Sequence, residues 1–342
     1  MQALEFPYTA PAMDGNWQAL TPDIRWLRMP LPYALDHINL YLVRDGAGWM
    51  IIDSGLDTSA TKTLWETLLA RLPAGECITG VLCTHSHNDH AGAAGWLTEK
   101  LRVPLYMSAG EYFQLRAFAG GDAMDSWEYR AFYRGLGFSE TQTDAMVAAL
   151  RKMRLASPVP QCYRRLRNGE TLLPDDGNWR IFTGEGHSPE HVSLYSAKLG
   201  VLICGDQLLP RISANVSVSA VEPEANPLRL WLESLQRIGA LPEQTLVLPA
   251  HGLPYRGLKI RARELDEHHR QHLRELRALC AAQPGSAMQL MPAMFPRRRG
   301  QLDDFLAVSE CLAHLSWLCA EGQVRRSLGA DGVFYYNAVD PA

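Results

Sequence analysis

Short apolar runs alternate with turn residues between positions 20 and 110 of the chain. Residues 38–43 and 49–53 are mostly apolar and flank Asp45-Gly46, a pair that favours a tight turn between antiparallel strands. Apolar side chains then recur at helical spacing between 59 and 72, which predicts a helix there. A second helix is predicted over residues 91–100. This part of the chain is therefore expected to mix strands and helices.

Three later apolar runs end directly at side chains of the kind that bind metals. Residues 80–83 precede a histidine-rich segment, residues 201–205 precede Asp206, and residues 246–250 precede His251. Runs of this length bounded by Gly or Pro are typical of buried strands that end in loops. Functional groups are often carried on such loops, because a rigid sheet holds the loop ends in place.

Residues 110–157 interrupt this pattern with two or three predicted helices that are rich in aromatic side chains. A sheet does not need such an insertion, and long insertions in enzymes are often functional. We interpret it either as a lid or pocket wall that selects the substrate, or as a packed cap or a contact in a homodimer. The sequence leaves these alternatives open.

Residues 261–342 are predicted to form a separate unit. Helices are expected over 261–282 and 302–320, the first with leucines along one face. Two short strands then flank Ala330-Asp331-Gly332, a good hairpin turn. Helices followed by such a hairpin resemble a winged helix. We therefore expect one domain over residues 1–260 and a winged-helix-like domain over 261–342.

The composition indicates a soluble globular protein. The chain has 342 residues, of which 47% are hydrophobic, enough for a large core. No apolar run approaches the ~20 residues that span a bilayer, and the N-terminus lacks the pattern of a signal peptide. The seven cysteines are scattered and favour free thiols in a reducing compartment. We expect a cytoplasmic protein without a membrane partner.

The charge counts against nucleic acid as a partner. The formal net charge is −4, whereas nucleic-acid binders usually carry a basic surplus. Two local basic clusters exist, Arg297-Arg298-Arg299 and Arg164-Arg165. We interpret both first as solvated faces. The partner expected from the charge is a small-molecule substrate.

The segment Thr84-His85-Ser86-His87-Asn88-Asp89-His90 carries the candidate chemistry. It places three imidazoles and a carboxylate within six residues, directly after an apolar run. Neutral imidazole and carboxylate are the usual ligands of zinc and similar divalent metals. A lone histidine is more often a packed residue than a ligand, but four such side chains at the end of one strand indicate a metal site.

The remaining ligands follow later in the chain. His187 lies in a Gly-Glu-Gly-His stretch, and Asp206 and His251 each follow an apolar run. His191, four residues after His187, is expected to support the loop rather than to bind metal. Seven ligands then divide into two metal positions, with one carboxylate free to bridge. Zinc is the default for these ligands, and iron or manganese are alternatives.

The order His-x-His-x-Asp-His, later His, later Asp and final His resembles the metallo-β-lactamase superfamily. The resemblance covers roughly residues 20–260 and implies an α+β fold, the αββα sandwich of that family. With Asp206 at the bridging position, the chain is similar to the glyoxalase II-like hydrolase branch. The best-known zinc β-lactamases carry Cys there, so penicillin hydrolysis is not expected. The C-terminal unit is similar to that of the lactamase-beta-like endoribonuclease.

The resemblance implies a role for each matching residue. It places His85, His87 and His187 on one metal. It places Asp89, His90 and His251 on the other, with Asp206 bridging both and Asp53 supporting the ligands from behind. A hydroxide shared by the two metals would attack the substrate, with Asp89 and Asp206 as the catalytic carboxylates. Outside the metal site, Arg211, Asn215 and His37 are candidate substrate contacts, although loop hydrogen bonds explain them equally well.

Three functions fit these residues. The first is a two-metal hydrolase of a small-molecule thioester, ester or lactone, which the acidic charge and the aromatic insertion favour. The second is a metal-dependent phosphodiesterase or endoribonuclease, which the C-terminal unit and Arg297-Arg298-Arg299 favour. The third is a di-iron redox protein or a non-catalytic metal-binding module. Against the redox protein, the C-terminal unit has no glycine motif for a flavin phosphate. The first function is the prediction.

Overall fold

Two β-sheets organise the part of the chain that carries the predicted ligands. The computed structural model describes residues 3–120, 125–152, 158–173, 175–296 and 300–339. The first sheet has seven strands in chain order: β1 Gln18–Thr21, β2 Ile24–Pro30, β3 His37–Asp45, β4 Gly48–Ile52, β5 Ile78–Leu82, β6 Leu105–Met107 and β7 Arg164–Arg165. The second has five in the order β12-β11-β10-β9-β8: β8 Thr171–Leu172, β9 Trp179–Gly184, β10 His191–Ser196, β11 Val201–Gly205 and β12 Leu246–Pro249.

Strand β3 shows how the first sheet is buried on both faces. Side chains on a strand point alternately to opposite faces. Ile38 and Leu40 pack into one buried cluster, together with Trp65 of helix α1 (Ser59–Ala70). Tyr41 and Val43 pack into the other cluster, which also holds side chains of β9 to β12. The two sheets therefore share a core, with helices on the far side of the first sheet, which confirms the predicted α+β sandwich.

The local elements follow the sequence pattern with one difference. The β3–β4 hairpin turns at Asp45-Gly46 as predicted, and the helix expected over 59–72 is α1, capped by the Thr58 side chain. The helix expected over 91–100 is instead two helices, α2 Asn88–Ala91 and α3 Ala94–Leu101. The backbone N–H of Ala93 donates to Gly55 O at 2.9 Å, so tertiary contact with the β4–α1 loop interrupts the helix.

The chain divides into two compact units. The first comprises Met1–Gly120, Arg154–Ala214 and Arg237–Ala262, and the second comprises Gly121–Met153, Asn215–Gln236 and Arg263–Ala342. The predicted aromatic insertion is helical, with α4 Ala109–Gly120 in the first unit and α5 Trp127–Leu136 and α6 Glu140–Lys152 in the second. The predicted domain boundary at residue 260 stays a prediction.

The second unit is mostly helical. Its C-terminal part contains α9 Ala287–Met294, α10 Gln301–Ala320 and the antiparallel pair β13 Val324–Leu328 and β14 Phe334–Ala338; α7 Pro227–Gly239 and α8 Leu258–Ala282 each contribute residues to both units. The hairpin turn around Gly332 is present as predicted, with a φ of +79°, which glycine adopts without strain. The winged-helix interpretation stays a prediction.

Of the two basic clusters named from the sequence, the structure describes one. Arg164 and Arg165 form β7 and are exposed, whereas Arg297-Arg298-Arg299 lies outside the described residues. Within the described ranges, no helix combines the length and the apolar character needed to cross a bilayer.

Candidate metal centre

The ends of four strands bring the predicted metal ligands to one place in the first unit. The segment after β5 carries the His-x-His pair and continues into α2, the loop between β9 and β10 carries a histidine, and the segments after β11 and β12 carry one ligand each. Side chains from these four segments approach one another within 3.7 Å. The residues brought together are His85, His87, Asp89, His90, His187, Asp206 and His251.

One side of the cluster consists of imidazoles alone. His85 Nε2 lies 2.9 Å from His87 Nδ1 and 3.3 Å from His187 Nε2. One ring nitrogen from each of the three residues lies within 4.8 Å of the others. Three converging imidazole nitrogens are a ligand set that suits zinc and other transition metals.

The other side combines imidazole with carboxylate. Asp89 Oδ2 lies 3.4 Å from His251 Nε2 and 3.7 Å from His90 Nε2. These three residues also offer ligand atoms within 4.8 Å of one another. His90 and His251 are buried, and the Asp89 side chain is 16% exposed. This set is therefore the more acidic of the two and has its carboxylate partly open to solvent.

Asp206 lies between the two sets. Its Oδ1 atom is 3.5 Å from His90 Nε2 and 3.4 Å from His251 Nε2, whereas its Oδ2 atom is 3.5 Å from His187 Nε2. The two oxygens of one carboxylate thus face the two ligand sets separately. A carboxylate in this position can bind two metal ions at once.

The carboxylates dominate the electrostatics of the centre. Burial disfavours the charge on His251, but Asp206 and Asp89 outweigh it and raise the pKa of the imidazole to about 10. The same balance raises the pKa of His90 well above its ordinary value. Burial also opposes the charge on Asp206, yet His251 and His90 hold the pKa of that carboxyl well below its usual range.

The residues fit a bound cation on two observations. In the described structure, His90 Nε2 and Asp206 Oδ1 are buried without a hydrogen bond, and a buried polar atom left in that state is costly. In addition, the carboxylates raise the pKa values of His90 and His251, so this place favours positive charge. A divalent metal would provide that positive charge and would satisfy the two atoms, and metal binding is expected to release protons for this reason.

Asp53 contacts His90 of the acidic set, while the support of a bound metal that the resemblance implies stays a prediction. Its Oδ2 atom lies 2.9 Å from His90 Nδ1, and the carboxylate also accepts the backbone N–H of Thr84 at 2.7 Å and its hydroxyl at 2.9 Å. Such a carboxylate fixes the ring orientation and the tautomer of a ligand histidine. Asp53 has a φ of +62°, a conformation uncommon outside glycine.

His37 contacts the ligand His251 through its backbone. The carbonyl oxygen of His37 accepts a hydrogen bond from His251 Nδ1 at 2.8 Å. Its own ring contacts Asp36 Oδ1 at 2.6 Å and accepts the N–H of Gly252 at 2.9 Å. The structure therefore gives His37 a supporting role that the sequence did not predict, while its role as a substrate contact stays a prediction.

His191 contacts the backbone of Asp206. Its Nε2 atom accepts the backbone N–H of Asp206 at 3.2 Å, which agrees with the expectation that it would hold the loop. Gly205 makes this contact possible, because a Cβ at that position would lie 2.5 Å from His191 Nε2 and 2.9 Å from Thr84 Oγ1. The end of β11 is thus packed too tightly for any side chain.

The other two candidate substrate contacts differ in their surroundings. Arg211 is exposed, and its guanidinium carbon lies 5.6 Å from the centroid of the Phe6 ring. Asn215 belongs to the second compact unit, where its amide donates to Glu310 Oε2 at 2.8 Å. Substrate binding by either residue stays a prediction.

Sequence reasoning missed Glu111, which lies in the first turn of α4. The side chain is fully buried, although glutamate is rarely buried unless it is paired or well hydrogen-bonded. It accepts the backbone N–H of Ser86 and that of Glu190, each at 2.8 Å. No local spacing signals such contacts, because both donors lie far from Glu111 in the sequence.

The chain matches two family models. Residues 34–251 match the metallo-beta-lactamase superfamily. Residues 273–339 match the family described as metallo-beta-lactamase-like, C-terminal domain. The first match contains all seven predicted ligands, and the second covers most of the C-terminal part of the chain.

Individual proteins show the same relationship. A beta-lactamase domain protein from Burkholderia ambifaria has 43% identity and a TM-score of 0.90, covering 98% of both chains. A probable metallo-hydrolase, YqjP of Bacillus subtilis, is 26% identical over 92% of this chain and 98% of its own length. A hydroxyacylglutathione hydrolase of Tolumonas auensis is 23% identical over 64% of this chain and 63% of its own.

Proposed function

The chain is a metallo-hydrolase that belongs to the metallo-beta-lactamase superfamily, and within that class we propose that it cleaves a small-molecule thioester, ester or lactone at a two-metal site. The observation that carries this proposal is the position of Asp206. Its two carboxylate oxygens face the His85–His87–His187 set and the Asp89–His90–His251 set at 3.4 to 3.5 Å.

Each set of residues would have a separate task. His85, His87 and His187 would hold one ion, Asp89, His90 and His251 would hold the other, and Asp206 would bind both. Two divalent ions supply Lewis-acid activation of a water molecule and of the substrate oxygen. Asp89, as the partly exposed carboxylate, can accept a hydrogen bond from the attacking water and orient it towards the substrate. Asp53 and the His37 carbonyl would keep the ligand rings aligned.

Two observations support an acyl substrate. The related protein from Tolumonas auensis is named for hydrolysis of a hydroxyacylglutathione, and an acylglutathione is a thioester. The net charge of −4 also disfavours a polyanionic substrate, which a basic surface would attract. A phosphodiester substrate is the alternative that the test below separates from an acyl substrate.

We propose zinc as the resident metal, since histidine and aspartate are its common ligands, with iron or manganese as alternatives. We also propose a cytoplasmic location. All seven cysteines are free thiols, as expected in a reducing compartment. A homodimer and the expected lack of a nucleic-acid or membrane partner stay predictions.

The test is a turnover screen of the purified protein with its metal content measured. Acyl-CoA thioesters, acylglutathiones, lactones and a single-stranded RNA would be offered side by side, each with and without chelator. We expect cleavage in one of the acyl panels that is lost on chelation and returns on adding Zn²⁺. The matched control is Glu310→Gln, which changes a buried carboxyl group in the other compact unit.

Two results would contradict the proposal. Chelator-sensitive cleavage of RNA with inert acyl substrates would favour the phosphodiesterase. Acyl cleavage that persists after complete metal removal would show that the metal centre does not carry the reaction.

A further inference from the structure

Glu111 joins the two loops that carry His85, His87 and His187, which together form the three-histidine set. Its Oε2 atom accepts the N–H of Ser86, the residue between His85 and His87, at 2.8 Å. Its Oε1 atom accepts the N–H of Glu190, three residues after His187, at 2.8 Å. One buried carboxylate therefore spans the distance between both sources of ligands.

The start of α4 is interlocked with the same two loops. The N–H of Gly110 donates to Glu190 Oε2 at 2.8 Å, and the Ser108 hydroxyl donates to Glu190 O at 2.7 Å. The Gln114 amide donates to the Ser86 hydroxyl at 2.9 Å. A Cβ at Gly110 would lie 3.0 Å from Glu190 Cβ. The helix is thus held at short range to both loops, with Glu111 at the centre of the contacts.

The acidic ligand set is held by different groups. Asp53 binds His90, and the His37 carbonyl binds His251. Neither contact involves α4. Asp53 also reaches the other set indirectly, because it accepts the Thr84 hydroxyl, which lies 3.1 Å from His85 Nδ1. Glu111, by contrast, bonds directly only to the backbone beside the three-histidine set, so its loss should affect that metal position more than the other.

We propose that Glu111 is a positioning residue that sets the spacing of His85, His87 and His187 and so controls the affinity of that metal position selectively. Hydrogen bonds from backbone N–H groups to a carboxylate are short and strong. Removing the acceptor would leave two N–H groups unpaired in a poorly solvated region, and the loops would move apart to reach water. The inference rests on the proposed two-metal site but not on the identity of the substrate.

The test measures metal affinity at each position separately. His251→Ala removes a ligand of the acidic position and keeps the three-histidine position intact. His187→Ala does the reverse. In each background, Zn²⁺ and Co²⁺ are titrated in competition with a chromophoric chelator, with and without Glu111→Gln. The glutamine keeps the size of the side chain, but its NH₂ group faces one of the two backbone N–H groups whose hydrogen bonds the carboxylate accepts.

We expect Glu111→Gln to weaken binding about 10- to 100-fold in the His251→Ala background, the range found when a group that supports a ligand is removed. Binding in the His187→Ala background should change less than about twofold. Asp53→Asn should weaken the acidic position more than the three-histidine position, because Asp53 contacts His90 directly and His85 only through Thr84. The Co²⁺ absorption bands of the three-histidine position should also shift, because its geometry changes.

Matched controls separate this role from a general loss of structure. Glu310→Gln alters another buried glutamate, one whose pKa burial raises to about 8, and should leave both affinities unchanged. Gln114→Ala removes a single bond to the Ser86 hydroxyl and should have a smaller effect than Glu111→Gln. Circular dichroism of each metal-free variant reports its fold. If Glu111→Gln does not fold, Gln114→Ala must still weaken the three-histidine position selectively.

Equal weakening at both positions, or none at either, in a folded protein would overturn the inference. Activity is not needed for this test. A protein that binds two metals with the expected selectivity but cleaves no acyl substrate would contradict the proposed function and leave the role of Glu111 intact.

Discussion

Each compact unit contains a cluster of histidines, and the two clusters differ in what surrounds them. In the first unit, carboxylate oxygens lie 2.9 to 3.7 Å from the ring nitrogens of His90, His187 and His251. In the second, His269 Nδ1 lies 3.1 Å from His314 Nε2, and His314 Nδ1 donates to the backbone carbonyl of Glu310 at 2.8 Å. Across the described residues, the three groups with metal-ligand spacing all belong to the first cluster.

The pKa values show the consequence. In the first unit the carboxylates outweigh burial and raise the pKa of His251 to about 10. In the second unit burial dominates, and neighbouring histidines add to it, so the pKa of His269 is lowered to about 2 and that of His314 to about 3. Burial thus favours the neutral form of His269 and His314, whereas the carboxylates of the first unit favour positive charge on His90 and His251.

The largest effect is expected from Asp206→Ala. This change removes the carboxylate that lies between the histidines of the first cluster. Turnover should fall at least about a thousandfold, since a bridging ligand contributes several kcal/mol of transition-state stabilisation. Metal content, measured by elemental analysis, should fall towards one ion or fewer, while circular dichroism should show a folded protein. Full activity with two bound metals would refute the assignment of Asp206.

Gly205→Ala tests the tight packing behind the first cluster. The new methyl group would lie 2.5 Å from His191 Nε2, so the ring that accepts the Asp206 N–H must move. We expect a loss of roughly 2–3 kcal/mol in unfolding free energy, from overpacking and from a left-handed backbone with a side chain, together with weaker metal binding.

Gly200→Ala is the matched control for that change. Gly200 also has a positive φ, +65°, but a Cβ there would meet nothing within 4 Å. The Gly200→Ala protein should lose only about 1 kcal/mol of unfolding free energy, from the side chain on a left-handed backbone. Its metal affinity should not change. Equal losses in unfolding free energy for both variants would show that the close approach at Gly205 is unimportant.

The second cluster should be visible in the pH dependence of stability. Because the pKa of His314 is lowered in the folded state, the unfolded chain binds its proton first as the pH falls below 6.5. The stabilising contribution is therefore present above 6.5 and is lost towards pH 3, with a slope of about 1.4 kcal/mol per pH unit. His314→Gln should reduce the slope by that amount between pH 4.5 and 6.

Urea unfolding of the metal-free proteins measures this slope. The buried histidines of the first unit titrate equally in wild type and variant, so their contributions cancel in the comparison. Parallel curves for the two proteins would show that His314 does not stay neutral in the folded state.

The smallest effect is expected from His272→Ala in the second cluster. Its ring centroid lies 4.3 Å from that of His268 and 5.6 Å from that of His314, close enough to suggest a metal site by eye. Among the described residues, no group with metal-ligand spacing includes a histidine of this cluster. The cluster should therefore bind no ion tightly, and metal content should stay within about 10% of wild type. His187→Ala is the positive control, and its metal content must fall. A comparable loss in His272→Ala would place a metal in the second unit.

The sequence predicted the candidate ligands as a group. All seven residues named from it approach one another in the structure, because each follows a short apolar strand or lies in one compact motif. Strand ends and turns are encoded locally by apolar runs and glycines. The three helices of the insertion and the β13–β14 hairpin were predictable for the same reason.

The sequence did not predict that Glu111 and His37 help to hold the metal centre in place. Glu111 bonds to Ser86 and Glu190, which lie 25 and 79 residues away in the sequence. The His37 carbonyl bonds to His251, which lies 214 residues away. The break between α2 and α3 also depends on a contact with Gly55. A single sequence carries no local signal for such pairs.

The sequence by itself therefore determined the kind of chemistry and the strands that end at it, because ligand type and apolar periodicity are properties of short segments. Only the tertiary structure decided the distances at which the two oxygens of Asp206 face the two ligand sets. It also decided that Glu111 binds the backbone beside His85 and His87 while Asp53 binds His90. In the second unit, it decided that burial lowers the pKa of His269, His272 and His314. These properties arise from distances between segments that are remote in the chain, and the electrostatic interactions that separate the two clusters depend on those distances.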